Sequence, residues 1–289
     1  MENDALKIVR AALPRLTARE GDVATRVLDD PQVVLSSTVA ELARIAGTST
    51  ATVARFCQSV GFGSYRDFRV AIAATVSRSQ AELVRFELDD TEIAPADGIE
   101  EIIAKVRFHE VLAVEQTLGE LDRAAVEGVV EALVGARRIE ITGFGASGLI
   151  AADLNEKLRR IGYPSGYNSD VHFALPSSAN LEPGDVLVAF SHSGRTSDTI
   201  GVLSAAAAAG ATTVAVTNAA ESSLAELADI TVVTRAREST FRSGAMASRS
   251  AQHAVVDVIF ISTAQHDMER TTQALRRTYD SVNAHRLPR

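Results

Sequence analysis

The sequence predicts two domains. An all-helical N-terminal domain is followed by an α/β domain whose parallel sheet is flanked by helices. Three observations carry this. At 289 residues the chain exceeds what one core usually organises. Residues 1–80 show helical apolar spacing, broken at "DDPQ" and "IAGTST". From residue 137 onward, short apolar runs alternate with helical stretches, the pattern of a parallel sheet covered on both faces.

Between the two parts, "ELDDTEIAPADG" (87–98) has five acids, a proline, a glycine and no apolar period, which is a linker composition. The expected domains are therefore 1–80 and 105–289, with 81–104 as the linker. Helical spacing resumes over 99–119 and 122–134. "RIEITG" (138–143), "DVLVAFS" (185–191), "TTVAVTN" (212–218) and "ITVVT" (230–234) read as strands. Helices are expected over 147–161, 197–209 and 222–228, and a last one through 244–264. Ligands of such sheets sit beyond the carboxyl ends of the strands. Two glycine- and serine-rich loops, 143–148 and 191–196, fall at such ends.

A lone cysteine, Cys57, excludes an intramolecular disulfide and fits a reducing compartment. The start "MENDALKIVR" lacks an apolar leader core, and Asp257 interrupts the most apolar run, "AVVDVIFIS". A cytoplasmic protein with no membrane partner is expected. The net charge is −8, but residues 1–80 carry 10 basic and 8 acidic side chains against 19 and 29 in the rest. A nucleic-acid partner would therefore meet a local patch of the N-terminal part. Only three of the 29 basic residues are lysines, which reads as coding bias.

"STVAELARIAGTSTATVARFCQSVGF" (37–62) is the informative N-terminal stretch. Val39, Leu42, Ala43 and Ala46 make an apolar stripe, and Gly47 ends that helix. Ser49 can cap the next helix, without a capping box because Thr52 stands at the Glu position. Val53, Phe56, Cys57 and Val60 share one face. Thr48, Ala51, Thr52, Arg55, Gln58 and Ser59 lie opposite. Two helices about a glycine turn describe a helix-turn-helix. The short polar side chains of Thr48, Ser49, Thr50 and Thr52 suit phosphate. Arg55 suits phosphate or guanine, and Gln58 suits adenine. A solvated helical hairpin is the plainer alternative. Tyr65, Phe68 and Phe62 can pack a further helix that brings Arg66 and Arg69 to the DNA backbone. Cys57, on the buried face, reads as an inert core thiol.

This stretch resembles the helix-turn-helix of the RpiR/MurR family of bacterial transcriptional regulators. Leu42, Ala43, Gly47, Ser49, Thr52, Val53, Arg55, Phe56, Gly61, Phe62, Tyr65 and Phe68 stand where that family's motif has them. Thr48 and Val60 depart from it without threatening the fold. The resemblance implies operator DNA as a partner.

"GFGASG" (143–148) spells the dinucleotide fingerprint G-x-G-x-x-G, but no acid follows at the end of the next strand, "GYPSGYNSD", where a ribose would need one. "SHSGRT" (191–196) repeats the chemistry of the first loop, with hydroxyls and glycine amides at a helix N-terminus, where an anion is favoured. Ser147, Ser191, Ser193 and Thr196 supply hydroxyls, and Gly145 and Gly194 let backbone approach. Ordinary strand-to-helix turns remain the alternative. No Walker lysine–hydroxyl pair is present, no metal set is visible among the scattered histidines, and no cofactor is expected.

"GFGASG…SHSGRTSDT…VAVTN" is similar to the SIS (sugar isomerase) domain, over about residues 105–265. The resemblance implies a phosphosugar ligand held by Gly145, Ser147, Ser191, His192, Ser193, Gly194 and Thr196. "ESTFRSGAMASR" (238–249) resembles a segment of the regulator family, which would put Glu238 and Arg242 near the sugar and start the last helix at Ser248 and Arg249. SIS domains also serve isomerases and lyases, and His192 with Glu238 could supply a base. The expectation is nevertheless a regulator without catalytic residues. Its SIS domain would sense a sugar phosphate or sugar acid, and it would pair as a dimer or tetramer on a palindromic operator. His253, in an apolar helix, reads as a core or interface histidine.

Overall fold

The computed structural model describes residues 4–86, 88, 90–238 and 245–283, with side chains described to residue 280. The chain divides into two compact units, Met1–Asp90 and Thr91–Arg289.

The first unit is all helical: α1 (Ala5–Ala12), α2 (Ala18–Asp29), α3 (Gln32–Ser36), α4 (Val39–Ile45), α5 (Thr50–Ser59) and α6 (Tyr65–Phe86). Side-chain oxygens start these helices where the sequence places them. Asp4 caps α1, Thr38 and Glu41 form a capping box on α4, and Ser49 Oγ accepts from Thr52 N at 3.2 Å. Gly47, at φ +62°, makes the turn between α4 and α5. Val23, Val27, Val34, Leu42, Val53, Phe56, Cys57, Phe68 and Ile72 form the core. Phe68 meets Phe56 and Phe62 edge-on, with ring centroids 5.4 and 5.3 Å apart.

The linker expected over 81–104 is shorter than composition suggested. Helix α6 runs on to Phe86, and the next helix begins at Ile99. Nor is the intervening stretch loose. Lys105, 2% exposed, donates to Glu92 O at 2.7 Å and to Asp97 Oδ2 at 2.9 Å, and it lies 3.2 Å from Glu101. His109 Nε2 lies 2.9 Å from Thr91 O. A buried ammonium needs its acids close by, so acids that look like a solvated run are recruited to it.

The second unit opens with α7 (Ile99–Gly119) and α8 (Arg123–Gly135). It continues β1 (Ile139–Gly143), α9 (Ala146–Arg160), β2 (Ser165–Tyr167), α10 (Val171–Ala179), β3 (Val186–Phe190) and α11 (Ser197–Ala208). β4 (Thr212–Thr217), α12 (Ser223–Leu227), β5 (Ile230–Val233), α13 (Met246–His266) and α14 (Met268–Asn283) complete it. All strand pairs are parallel, in the order β2-β1-β3-β4-β5. The period-2 alternation divides the sheet's side chains between two cores. Ile139, Ile141, Val186, Val188, Phe190, Val214, Val216 and Val232 meet apolar residues of α8, α9 and α13. Leu187, Ala189 and Ala215 meet α10 and α11.

Two helices escape the sequence pattern. α10 is short and contains Pro176. α14 is strongly polar, and its apolar side chains Met268, Leu275 and Tyr279 are exposed. His253 is also not a core residue: it is exposed, with Nδ1 3.4 Å from Asp153 Oδ2. Among the described residues no helix is long and apolar enough to cross a membrane.

Candidate functional site

β1 and β3 are neighbours, with Gly143 in register with Phe190, so the loops 143–148 and 191–196 leave adjacent strands at the same end of the sheet. The chain order reverses direction across the sheet between these two strands, which is where open α/β sheets hold ligands.

The glycines of the first loop have different jobs. A Cβ on Gly143 would lie 2.8 Å from Ser147 O, and one on Gly148 would lie 2.7 Å from Tyr167 Oη, so both allow α9 to press onto β1 and β2. Gly145, at φ +58° and ψ −129°, faces open space and turns the chain into α9. Ser147 is half-buried in the first turn of that helix. Asp170, the only acid after β2 in "GYPSGYNSD", accepts from His172 N at 2.7 Å as the cap of α10.

In the second loop Ser191 is buried, and its Oγ is 3.2 Å from Thr196 Oγ1. Gly194, at φ +62°, is buried and donates to Ser191 O at 3.1 Å. Ser193 Oγ accepts from Arg195 N at 3.3 Å. His192 and Ser193 are half-buried, and Thr196 is exposed as the N-cap residue of α11. The loop is fastened from behind by the end of β4. Asn218 N and Thr217 Oγ1 donate to His192 O at 3.0 and 3.3 Å.

Glu238 sits apart from these loops. Its Oε1 accepts from Ser248 N at 2.7 Å, so the carboxylate caps the first turn of α13. Arg242 lies outside the described residues. Ser248 and Arg249 are in that first turn, and both reach Ala245 O, Ser248 through Oγ at 3.3 Å and Arg249 through Nε at 3.1 Å. Asn218, absent from the sequence-derived set, ties these regions together. Its Oδ1 accepts from Ala236 N at 2.7 Å while its N–H holds the 191–196 loop. The signal was the "TN" closing β4, which marks where a strand's last residues turn toward a neighbouring loop.

In the first unit, α5 is presented on α4 by the Gly47 turn. Ser49, Thr50, Arg55 and Gln58 are exposed, and Thr48 is half-buried. Thr52 is not on the outer face: it is 6% exposed, and its Oγ1 is 3.0 Å from Ser49 Oγ and accepts from Arg55 Nη2 at 3.4 Å. A threonine at the third position of a capped helix turns back onto its cap. Ser59, counted on the polar face, donates to Glu20 Oε1 of α2 at 2.9 Å. Arg66 is exposed. Arg69 is exposed too, but its Nη2 donates to Leu35 O at 2.5 Å, beside Tyr65 Oη, which donates to Ser37 O at 2.9 Å. Both side chains anchor the end of α3 to α6.

The helix-turn-helix domain of the rpiR family matches residues 3–86, and the SIS domain matches residues 132–262. An uncharacterized HTH-type transcriptional regulator of Caldanaerobacter subterraneus is 32% identical over 284 residues, 98% of this chain and 99% of that protein. The chain belongs to the RpiR family of HTH-type transcriptional regulators. The Bacillus subtilis HTH-type regulator YbbH is 28% identical, over 99% of this chain and 100% of its own. Among solved structures, the Vibrio vulnificus NanR protein complexed with ManNAc-6P is 27% identical, with a TM-score of 0.63 over 98% of this chain and 100% of that one.

As an RpiR-family regulator, the protein reads DNA through its helix-turn-helix and carries an SIS domain behind it. The electrostatics of the DNA-reading unit have one buried feature. Hydrogen bonds from Thr17, and a further one from Ser59, hold the Glu20 carboxyl below the usual carboxylate range. Burial pushes the Cys57 thiol up to about 12.

Proposed function

We propose that this RpiR-family regulator senses a phosphorylated sugar or sugar acid at loops 143–148 and 191–196, and that occupancy alters its grip on operator DNA. The observation that carries the reading is the pair of hydroxyl-bearing loops on adjacent strands, each opening a helix. Ser147, Ser191, Ser193 and Thr196, with His192 and the amides at Gly145 and Gly194, form the anion-binding set. The complex of NanR with ManNAc-6P supports a phosphosugar as the class of effector. Binding suffices for a switch, and we read the pocket as non-catalytic, since Glu238 is committed to capping α13.

On the DNA side, Thr48, Ser49, Thr50, Arg55, Gln58, Arg66 and Arg69 face the duplex, with Thr52 acting through the cap. Two copies of the chain on a palindromic operator complete the reading. A thermal-shift screen of phosphorylated sugars tests it. An effector at 100 times its Kd adds about 2.7 kcal/mol to stability. Ser193→Ala should remove that gain and the accompanying change in promoter affinity. A hit that persists in Ser193→Ala, or is turned over without DNA, defeats the reading.

A further inference from the structure

Thr52, Arg55 and Ser59 follow one another at i, i+3 and i+7 along α5, and two of the three point back to their own domain. Thr52 is 6% exposed and accepts from Arg55 Nη2 at 3.4 Å. Ser59 Oγ donates to Glu20 Oε1 at 2.9 Å. Glu20 is 7% exposed, and its other oxygen, Oε2, accepts from Thr17 N at 3.0 Å and from Thr17 Oγ1 at 2.6 Å. Three hydrogen bonds therefore fix a negative charge beside the recognition helix, one turn from Arg55. Helix neighbours at i and i+4 face each other, so Ser59 brings that charge to the flank on which Arg55 stands. The attraction is mutual: Arg55 is among the groups that stabilise the ionised Glu20.

We propose that Glu20 is a positioning residue for DNA recognition, drawing the Arg55 guanidinium to the α2 side of α5 until a DNA phosphate or guanine displaces it. The carboxylate and the duplex compete for one cation. A weak, badly placed phosphate loses that competition, and a well-placed partner wins it. The buried charge thereby lowers indiscriminate affinity while keeping Arg55 preset along the helix. The proposal rests on Arg55 touching DNA, and the test separates the two.

The test uses the full chain, a short labelled duplex of arbitrary sequence, low salt and fluorescence anisotropy. Wild type, Glu20→Gln, Arg55→Gln and the double variant are compared. Arg55→Gln should weaken binding. Glu20→Gln should tighten it roughly two- to fivefold while Arg55 is present, the range of one partly exposed ion pair. With Gln at 55 it should leave Kd unchanged. Equal tightening in both backgrounds means Glu20 merely repels phosphate, and weakening in both means it only packs; either overturns the proposal. An unchanged Kd in Arg55→Gln overturns the role of Arg55 at the duplex and the proposal with it. Should Glu20→Gln fail to fold, the unmodified chain still decides. The Arg55 Nε–H should exchange with solvent more slowly than that of Arg44 and change on adding duplex, and equal exchange at both sites ends the proposal.

Discussion

Gly194 and Ser222 stand so close that a Cβ on residue 194 would overlap Ser222 Oγ and lie 3.0 Å from Thr217 Oγ1. The approach is reinforced by Leu224 N, which donates to Gly194 O at 3.1 Å. The glycine of "SHSG" is thus demanded twice, by its φ of +62° and by its neighbour. Gly194→Ala should cost about 1–3 kcal/mol for the backbone and about another 1–3 kcal/mol for the overlap. Gly145→Ala, facing open space, should show only the backbone part. Urea unfolding of the two variants checks this; equal losses would mean that Ser222 yields.

The clamp on residues 91–97 predicts a pH dependence. The Lys105 hydrogen bond holds the Asp97 carboxyl below the usual range, and the same bond raises the Lys105 ammonium. A depressed carboxylate contributes stability that is present above its unfolded pKa of about 3.9 and is lost as pH falls through the folded value. A raised lysine contributes stability that is full below about 10.4 and is lost as pH rises through its folded value. Between those limits the clamp is closed. Asp97→Asn should lower Tm at neutral pH and flatten its fall in acid. Limited proteolysis should then cut near residue 94 at neutral pH, where the unmodified chain resists.

The strands were legible because each is a short apolar run of "RIEITG" or "DVLVAFS" type, and both effector loops followed from their place at strand ends. Helix α5 was legible for the same reason, since Val53, Phe56, Cys57 and Val60 repeat at helical spacing and all four are buried. What spacing could not convey was which polar side chains turn inward. Thr52 lies beside the exposed residues in sequence, yet a cap and an arginine occupy its hydroxyl. The acids near residue 95 looked solvated because their cation, Lys105, is on a different element, and Glu20 gave no sign of Ser59, 39 residues away. Long-range polar pairing leaves no period in the chain, whereas apolar faces do.

Cys57 should be silent toward thiol reagents in the folded protein. Its side chain is fully buried in the helical core, and burial raises the thiol to about 12, so almost no thiolate exists near neutrality. Ellman's reagent should find no thiol per chain in native buffer and one in denaturant. Reaction without denaturant, at a rate independent of added urea, would show that the face packed by Phe56 and Val60 opens locally rather than with the whole unit.

Arg66 and Arg69 lie on neighbouring turns of α6 but are held differently, and DNA should tell them apart. Arg69 donates to Leu35 O at 2.5 Å, so its truncation removes an anchor of α3 as well as a charge. Arg66 is exposed and makes no hydrogen bond or ion pair among the described residues. Neutralising one fewer phosphate should reduce the slope of log K against log salt by about 0.9. Arg66→Ala should show that reduction with unfolding stability unchanged. Arg69→Ala should lose about 1 kcal/mol of stability as well, the worth of an ordinary hydrogen bond. Arg69→Lys keeps the charge but not the planar fork, so it should recover the salt slope without recovering the stability. Salt titrations and urea unfolding on the same preparations check both halves. Equal stability in Arg69→Ala and wild type would free Arg69 from its role in anchoring α3 and leave it to DNA alone.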